Sequence, residues 1–135
     1  MKKFITTNAK QTQKLGEILA GELKGGVVIC LSGDLGSGKT TFTQGLLKGL
    51  KVEGPYTSPT FVIMKKYKKN IFHFDAYRVE ARDILNLGWE EIIAKKNNVI
   101  IVEWADRIKK IIPKKSLWIK FEWRGENKRK IIINN

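Results

Sequence analysis

Residues 33–40 most constrain what this chain can fold into, because they read Gly-Asp-Leu-Gly-Ser-Gly-Lys-Thr and match every position of the pattern G-x-x-x-x-G-K-S/T. An apolar run of buried-strand length, residues 27–31, leads directly into the glycines. Apolar residues then recur at helical spacing, at Phe42, Leu46, Leu47 and Leu50. This order of strand, glycine loop and helix presents backbone N–H groups and a helix N-terminus to a polyanion. It predicts a nucleotide hydrolase.

Each residue type in the loop has a chemical reason. Glycines let the backbone approach phosphate oxygens in conformations that a Cβ would obstruct. Lys39 is predicted to reach the β and γ phosphates, and the Thr40 hydroxyl to bind Mg²⁺. The residues predicted to bind the nucleotide are Gly33, Asp34, Leu35, Gly36, Ser37, Gly38, Lys39, Thr40 and Thr41. The simpler interpretation, a glycine-rich turn with a solvated lysine, leaves the agreement of both flanking elements unexplained.

Length and composition predict one domain, residues 1–135, with room for helices on both faces of a sheet. The hydrophobic content of 42% is ordinary, and no apolar run approaches the roughly 20 residues of a transmembrane helix. We therefore expect a cytoplasmic protein with no membrane partner. Cys30 is the only cysteine and His73 the only histidine, which argues against a zinc site. Mg²⁺ brought in by a nucleotide is the only metal implied.

The chain is strongly basic, with 26 Lys and Arg against 13 Asp and Glu and a formal net charge of +13. Such a charge predicts attraction to polyanions, and RNA is the obvious candidate partner. The lysines and arginines cluster at residues 65–69, 95–96, 109–115 and 128–130. For any one cluster, a solvated surface explains the charge as well as an RNA contact does.

The pattern of apolar residues and breakers predicts the order of the elements. Residues 2–6 form an edge strand, and a helix begins near Asn8, which resembles a capping box with Gln11. The apolar face of that helix is predicted to consist of Leu15, Ile18, Leu19 and Leu23. The later elements are a hairpin of residues 61–68 and 71–75, a helix over 81–95 interrupted at Gly88, a buried central strand over 99–102, and an antiparallel pair of 117–123 and 130–133. We expect the α/β class, a single P-loop NTPase domain with a mixed, mainly parallel central sheet flanked by helices.

Core positions follow from the same patterns. Cys30 lies within the strand before the glycine loop, where a small apolar residue belongs. Trp118 and Trp123 lie on strand-like alternation and are predicted to be core. Trp104 follows an acidic residue at a strand end, so its indole is expected to report on nucleotide binding.

Two carboxylates, Asp75 and Glu103, each end an apolar run of strand length. A phosphate-binding loop needs an acidic residue at a strand end to hold Mg²⁺ or to position the attacking water. Either residue could instead cap a helix or form an ion pair. Their common position at the ends of apolar strands favours the catalytic interpretation.

Four motifs in order carry a family resemblance: residues 33–41, Ser58-Pro59-Thr60-Phe61, His73-Phe74-Asp75-Ala76-Tyr77-Arg78, and Glu103-Trp104. In their order and approximate spacing the chain resembles the TsaE family. That family supplies the ATPase component of the bacterial machinery that makes threonylcarbamoyladenosine next to the anticodon of certain tRNAs. The resemblance spans nearly the whole chain.

The resemblance implies roles for individual residues. Thr40 and Glu103 would hold Mg²⁺, Lys39 and the loop amides would hold the phosphates of ATP, and Asp75 would support hydrolysis, which makes Lys39, Asp75 and Glu103 the catalytic candidates. Ser58, Pro59 and Thr60 would form a switch-like loop. Thr7, Asn8 and Arg129 would approach the adenine and its sugar.

The resemblance also implies partners, the other subunits of the threonylcarbamoyl-transfer complex, and slow turnover by the isolated chain. An independent reason for slow turnover is that no arginine lies in or beside the glycine loop in sequence, where it could act as a finger. Arg78 and Arg107, which follow the two carboxylate motifs, are the alternatives. The chain departs from the family at Ala105-Asp106, where Pro-Glu is often seen.

Other classes remain open at this point. A small-molecule kinase would share the loop, but it needs an acceptor pocket and a closing lid, for which the chain shows no insertion. A GTPase needs a guanine-reading Asn-Lys-x-Asp sequence, and the only Asn-Lys, at Asn127-Lys128, lacks the Asp. A purely RNA-binding protein would explain the charge but would leave residues 33–40 unexplained.

Overall fold

The computed structural model describes residues 1–55 and 63–134 of the chain. The strands in these ranges are β1 (Lys2–Thr6), β2 (Val27–Ser32), β3 (Met64–Tyr67), β4 (Ile71–Asp75), β5 (Val99–Glu103), β6 (Leu117–Trp123) and β7 (Arg129–Asn134). The helices are α1 (Ala9–Glu22), α2 (Lys39–Gly49), α3 (Ala81–Leu85), α4 (Trp89–Ala94) and a 3₁₀ segment, Ala105–Ile111. Apart from residues 61 and 62, which lie outside the described ranges, the structure confirms the order of elements predicted from the sequence.

The seven described strands form one sheet in the order β1-β7-β6-β2-β5-β4-β3. The three pairs in the middle, β6 with β2, β2 with β5 and β5 with β4, are parallel. The other three pairs, β1 with β7, β7 with β6 and β4 with β3, are antiparallel. The predicted mixed sheet is therefore confirmed, but its parallel part is limited to the middle strands. Because β2, β4 and β5 run in the same direction, their carboxyl ends meet at one edge of the sheet.

Helices cover both faces of this sheet, as predicted. On one face α1 and α2 pack over a core that includes Ile29, Leu31 and Phe121. On the other face α3, α4 and the 3₁₀ segment pack over a core that includes Cys30 and Phe74. Strand β2 contributes side chains to both cores, because successive side chains of a strand point to opposite faces of the sheet.

Cys30 is a core residue, as its position in the sequence predicts. It is buried, and burial raises the pKa of its thiol to about 12. The thiol therefore stays protonated and packs as a small apolar group. Trp118 also packs against the core, on the face that α3 and α4 cover.

Three residues of the predicted apolar face of α1, Leu15, Leu19 and Leu23, pack against the core, but two predicted positions are wrong. Ile18 is 49% exposed, because α1 turns Thr12, Gly16 and Ala20 inward and leaves Ile18 off that face. Trp123 is 59% exposed, because it is the last residue of β6, where the strand runs past both core clusters into the turn before β7. Strand alternation gives the face of a residue but not whether anything covers that face.

No helix in the described ranges is long and apolar enough to cross a bilayer. The predicted interruption at Gly88 is confirmed: α3 ends before it, and Gly88 has φ +87° at the start of α4. This left-handed conformation strongly favours glycine over residues with a Cβ.

Candidate functional site

Residues 33–38, which we call the glycine loop, connect the carboxyl end of β2 to the start of α2. Gly33 has φ +139° and Gly38 has φ +106°, values that L-residues rarely adopt. A Cβ at Gly33 would also overlap the carbonyl oxygen of Phe121 on β6. The two glycines therefore allow the chain to turn sharply between strand and helix. Helix α2 begins at once, since the amide of Phe42 donates to the carbonyl of Gly38 at 2.9 Å.

The Lys39 side chain lies back over the glycine loop. Its ammonium donates to the carbonyl oxygens of Gly33 and Asp34, the latter at 2.9 Å, and lies 3.4 Å from the Ser37 hydroxyl. It also lies 4.0 Å from the centroid of the Trp104 ring, within cation–π range. Only 5% of the residue is exposed. Burial lowers the pKa of Lys39, and the nearby carboxylates, Glu103 first among them, oppose that shift.

The two predicted carboxylates lie beside one another. Asp75 and Glu103 are the last residues of β4 and β5, and they are paired in the register of these parallel strands. Both are buried, with 8% and 3% of the residue exposed. The Thr40 hydroxyl, at the start of α2, lies 3.5 Å from Glu103 Oε1. Parallel pairing of β4, β5 and β2 thus brings Asp75, Glu103 and Thr40 together from three parts of the sequence.

Asp75 is held in a local turn and is partly desolvated. Its Oδ1 accepts a hydrogen bond of 2.9 Å from the amide of Tyr77. Burial raises the pKa of Asp75, the charge of Glu103 raises it further, and the Tyr77 hydrogen bond opposes the shift. A raised pKa brings a carboxylate closer to the range in which it accepts a proton near neutral pH.

These groups line one cavity of about 500 Å³. The lining includes Lys39, Thr40, Asp75 and Glu103, together with loop residues and side chains from distant parts of the chain. Its remaining members are Asn8, Ala9, Thr12, Leu35, Gly36, Ser37, Gly38, Thr41, Tyr77, Arg78, Trp104, Glu126, Asn127 and Arg129. The volume is within the range of small-molecule and cofactor sites.

The model for the family described as "Threonylcarbamoyl adenosine biosynthesis protein TsaE" matches residues 6–131, nearly the whole chain. The chain belongs to the TsaE family. The resemblance stated from the four sequence motifs is thereby confirmed.

Individual members of the family are similar to this chain over most of its length. The tRNA threonylcarbamoyladenosine biosynthesis protein TsaE of Aquifex aeolicus is 40% identical over 138 residues, covering 98% of this chain and 96% of the relative. Its counterpart in Bacillus subtilis is 37% identical over 132 residues, covering 96% of this chain and 82% of the relative. The crystal structure of Bacillus subtilis YdiB matches with a TM-score of 0.81 and 33% identity over 96% of this chain and 82% of that one.

Of the three residues that the TsaE resemblance assigns to the adenine and its sugar, two line the cavity and one does not. Asn8 and Arg129 line the cavity, but Thr7 is not among its lining residues. Thr7 instead donates from its amide and hydroxyl to Gln11 Oε1, while Asn8 Oδ1 accepts from the amide of Gln11. The predicted capping box is therefore shifted, because Gln11 reaches Thr7 instead of the backbone of Asn8. The switch-like loop Ser58, Pro59 and Thr60 lies outside the described residues.

Arginines lie closer to the glycine loop than the sequence suggests. No arginine is near the loop in the sequence, but the expectation that none lies beside it is wrong in the folded structure. Arg129 Nε donates to the Gly36 carbonyl at 3.1 Å. Arg78 also lines the cavity. Arg107 does not, and its Nε donates to the carbonyl of Ala76 at 3.1 Å.

Sequence reasoning missed one polar contact in this TsaE site. His73 Nε2 lies 2.7 Å from Glu103 Oε2, and both side chains are buried. A signal for it exists in the sequence: His73 stands two residues before Asp75 in an apolar strand, so both must point to the same face. The sequence argument uses His73 only as the lone histidine that speaks against a zinc site and as the first residue of one of the four motifs.

The side chains present fit Mg²⁺. The Thr40 hydroxyl and the carboxylates of Glu103 and Asp75 are hard oxygen donors, and Mg²⁺ is usually held by one or two carboxylates together with substrate phosphates and water. No group of three or more His, Cys, Asp or Glu residues suited to a metal ion occurs in ranges 1–55 and 63–134.

Proposed function

We propose that the chain is the Mg²⁺-dependent ATP-binding and ATP-hydrolysing component of the tRNA threonylcarbamoyladenosine machinery. The observation that carries the proposal is the meeting of Lys39, Thr40, Asp75 and Glu103 in one cavity beside the glycine loop. Membership of the TsaE family supplies the pathway. The cavity supplies the chemistry, because a cationic side chain, a hydroxyl and two carboxylates converge where a polyphosphate would lie.

Each residue has a role that its position supports. Lys39 supplies a positive charge to the β and γ phosphates, next to the amides at the start of α2. Thr40 and Glu103 would hold Mg²⁺, which would supply positive charge to the phosphate oxygens. Asp75, with its raised pKa, orients the attacking water and accepts its proton.

Adenine is the expected base. The chain lacks the Asn-Lys-x-Asp sequence that reads guanine. Asn8 and Arg129, which line the same cavity as Lys39, provide polar groups for a base and its sugar. The proposal places the protein in the cytoplasm as a subunit that works with the other members of the threonylcarbamoyl-transfer complex.

Steady-state hydrolysis tests this function. We expect slow ATP turnover by the purified chain and faster turnover when the other modification proteins are added. Nucleotide binding is followed by Trp fluorescence, because the Trp104 ring lies against the Lys39 ammonium in the cavity. ATP and ADP with Mg²⁺ should bind, and GTP should bind much more weakly. A basal rate of about 1–100 s⁻¹, unchanged by partners while a metabolite is phosphorylated, would instead identify a small-molecule kinase.

A further inference from the structure

The buried histidine next to the metal-holding carboxylate has no role in the proposed function so far. His73 lies within β4, and 2% of its side chain is exposed. It is paired in register with Ile101 on β5, so Glu103 is two residues further along the neighbouring strand. The imidazole and the carboxylate therefore lie on the same face of the sheet, and Nε2 is 2.7 Å from Glu103 Oε2.

The two oxygens of Glu103 face different groups. Oε2 contacts His73, and Oε1 lies 3.5 Å from the Thr40 hydroxyl at the cavity. A glutamate side chain has three rotatable bonds, and a strong hydrogen bond to one oxygen fixes where the other points. We infer that His73 is a positioning residue, which holds the Glu103 carboxylate with Oε1 directed at the Mg²⁺ site beside Thr40.

The surroundings of the imidazole fix which of its nitrogens faces Glu103. Nε2 lies 2.7 Å from Glu103 Oε2, and a proton on Nε2 donates to that carboxylate. His73 Nδ1 is buried and has no hydrogen-bond partner within the part of the chain that the structure describes. Among the described residues, the contact with Glu103 is therefore the hydrogen bond that orients the ring, as is common for residues behind metal ligands.

This inference rests on the proposed Mg²⁺–nucleotide function, and metal binding tests it without turnover. The probe is Mn²⁺, whose free concentration is read by EPR during titration of the protein saturated with ADP. His73→Leu removes the donor, and His73→Gln keeps an N–H at a similar distance from the backbone. Ile71→Ala is the matched control, because Ile71 lies two residues away on the same strand and is equally buried in the core under α1 and α2.

We expect His73→Leu to weaken Mn²⁺ binding by about 10- to 100-fold, the usual effect of removing a residue behind a metal ligand. The affinity for ADP without metal should stay at the wild-type value. His73→Gln should restore most of the Mn²⁺ affinity, and Ile71→Ala should bind Mn²⁺ like the wild type. A spectroscopic check accompanies the titration: the ¹⁵N shifts of the wild-type imidazole should report a hydrogen-bonded proton on Nε2, the nitrogen that contacts Glu103.

The outcomes separate the two claims. If the wild-type ADP complex binds no Mn²⁺, the proposed function fails. If it binds Mn²⁺ and His73→Leu binds it equally well, only the positioning role is overturned. Equally weakened binding in Ile71→Ala would also overturn it, since strand stability alone would then explain the effect. Where His73→Leu does not fold, His73→Asn, which is too short to reach Glu103, is compared with His73→Gln, and equal metal affinity overturns the inference.

Discussion

At the scale of single residues, the cavity concentrates buried charge. Lys39, Asp75 and Glu103 are each at most 8% exposed. Burial lowers the pKa of Lys39 and raises that of Asp75, so the charged forms are held against a desolvation cost. Such charges persist in a fold when they serve binding or catalysis, because apolar residues would pack there at lower cost.

Lys39→Ala tests the phosphate contact directly. We expect ATP affinity to fall by roughly 10- to 100-fold, since a charge-assisted contact to phosphate contributes on the order of 1.5–3 kcal/mol. The control is Lys48→Ala, also on α2, whose side chain is 59% exposed and 3.9 Å from Glu17. Both variants are titrated with ATP and Mg²⁺ by Trp fluorescence. Wild-type affinity in Lys39→Ala would contradict the proposed site.

Asp75→Asn should lower activity and raise stability. The variant keeps an oxygen for the Tyr77 amide but cannot accept a proton from water, so hydrolysis should fall at least ~100-fold. Because burial raises the folded-state pKa of Asp75, wild-type stability falls as pH rises from the ordinary aspartate value through the raised one. Asp75→Asn should therefore leave the free energy of unfolding unchanged in acid, where the aspartate is protonated, and increase it at neutral pH, where the aspartate is charged.

Urea unfolding of wild type and Asp75→Asn across this pH range measures the difference. Identical pH dependence in the two proteins would show that the carboxyl group is not desolvated in the folded state. Reduced stability at neutral pH together with reduced activity would indicate a structural role for Asp75.

The glycine loop and the two strand-end carboxylates could be located from the sequence, and two contacts between distant residues could not. The glycine loop with Lys39 and Thr40 is a contiguous sequence pattern, so its phosphate-binding chemistry can be predicted without knowing the fold. The contacts of His73 with Glu103 and of Arg129 with Gly36 join residues 30 and 93 positions apart. They depend on strand order and register, which one sequence does not determine.

At the scale of elements, close packing of α1 on α2 holds the cavity together. Asn8 caps the start of helix α1, and α2 carries Lys39 and Thr40. The helices approach closely because glycines lie at their contact: a Cβ at Gly16 would overlap the carbonyl of Phe42, and one at Gly45 would overlap that of Gln13. The distance between the two walls of the cavity therefore depends on residues that have no side chain.

Two glycine substitutions separate packing from helix propensity. Gly45→Ala should destabilise the fold by about 1–3 kcal/mol through overpacking, although alanine itself favours a helix by about 1 kcal/mol. Gly21→Ala, on α1, introduces a Cβ with no heavy atom within 4 Å, so it should stabilise by about 0.4–1 kcal/mol. Free energies of unfolding in urea provide the measurement. Stabilisation by Gly45→Ala of the size seen in Gly21→Ala would show that the α1–α2 contact is not close.

Strands were predicted more reliably than helix faces. The runs that form β2 and β5 are apolar at nearly every position, as expected for strands buried on both sides. The inward face of α1 was harder, because its buried residues are Thr12, Gly16 and Ala20, whose small side chains carry little hydrophobic signal. Ile18 has a strong signal and lies outside the contact.

At the scale of the whole molecule, the net charge of +13 lies mostly on the surface. Two of the 13 acidic residues, Asp75 and Glu103, are buried in the cavity. Exposed lysines project from the 3₁₀ segment and the turn after it, at Lys109, Lys110, Lys114 and Lys115. Others lie on the edge strand β3 and its hairpin, within residues 65–69. Both groups are candidates for contacts to tRNA phosphates when the complex assembles.

Salt dependence distinguishes a phosphate contact from a solvated surface. We expect Lys109→Glu with Lys110→Glu to weaken tRNA binding by the assembled complex and to reduce its log–log salt slope by close to one unit for each phosphate that is no longer neutralised. The matched control is Lys95→Glu with Lys96→Glu, which changes the net charge equally at the exposed turn before β5, near the amino ends of the parallel strands. Fluorescence anisotropy with labelled tRNA at several salt concentrations gives both quantities.

The log–log salt slope distinguishes the two interpretations, because a change in overall charge alters affinity at low salt without removing a specific contact. A reduced slope in the first pair alone would place phosphate beside the 3₁₀ segment. Equal changes in both pairs would indicate only long-range attraction. Wild-type affinity and slope in both pairs would assign these lysines to a solvated surface, and the same comparison would then pass to Lys66 and Lys69 on the edge of the sheet beyond β4.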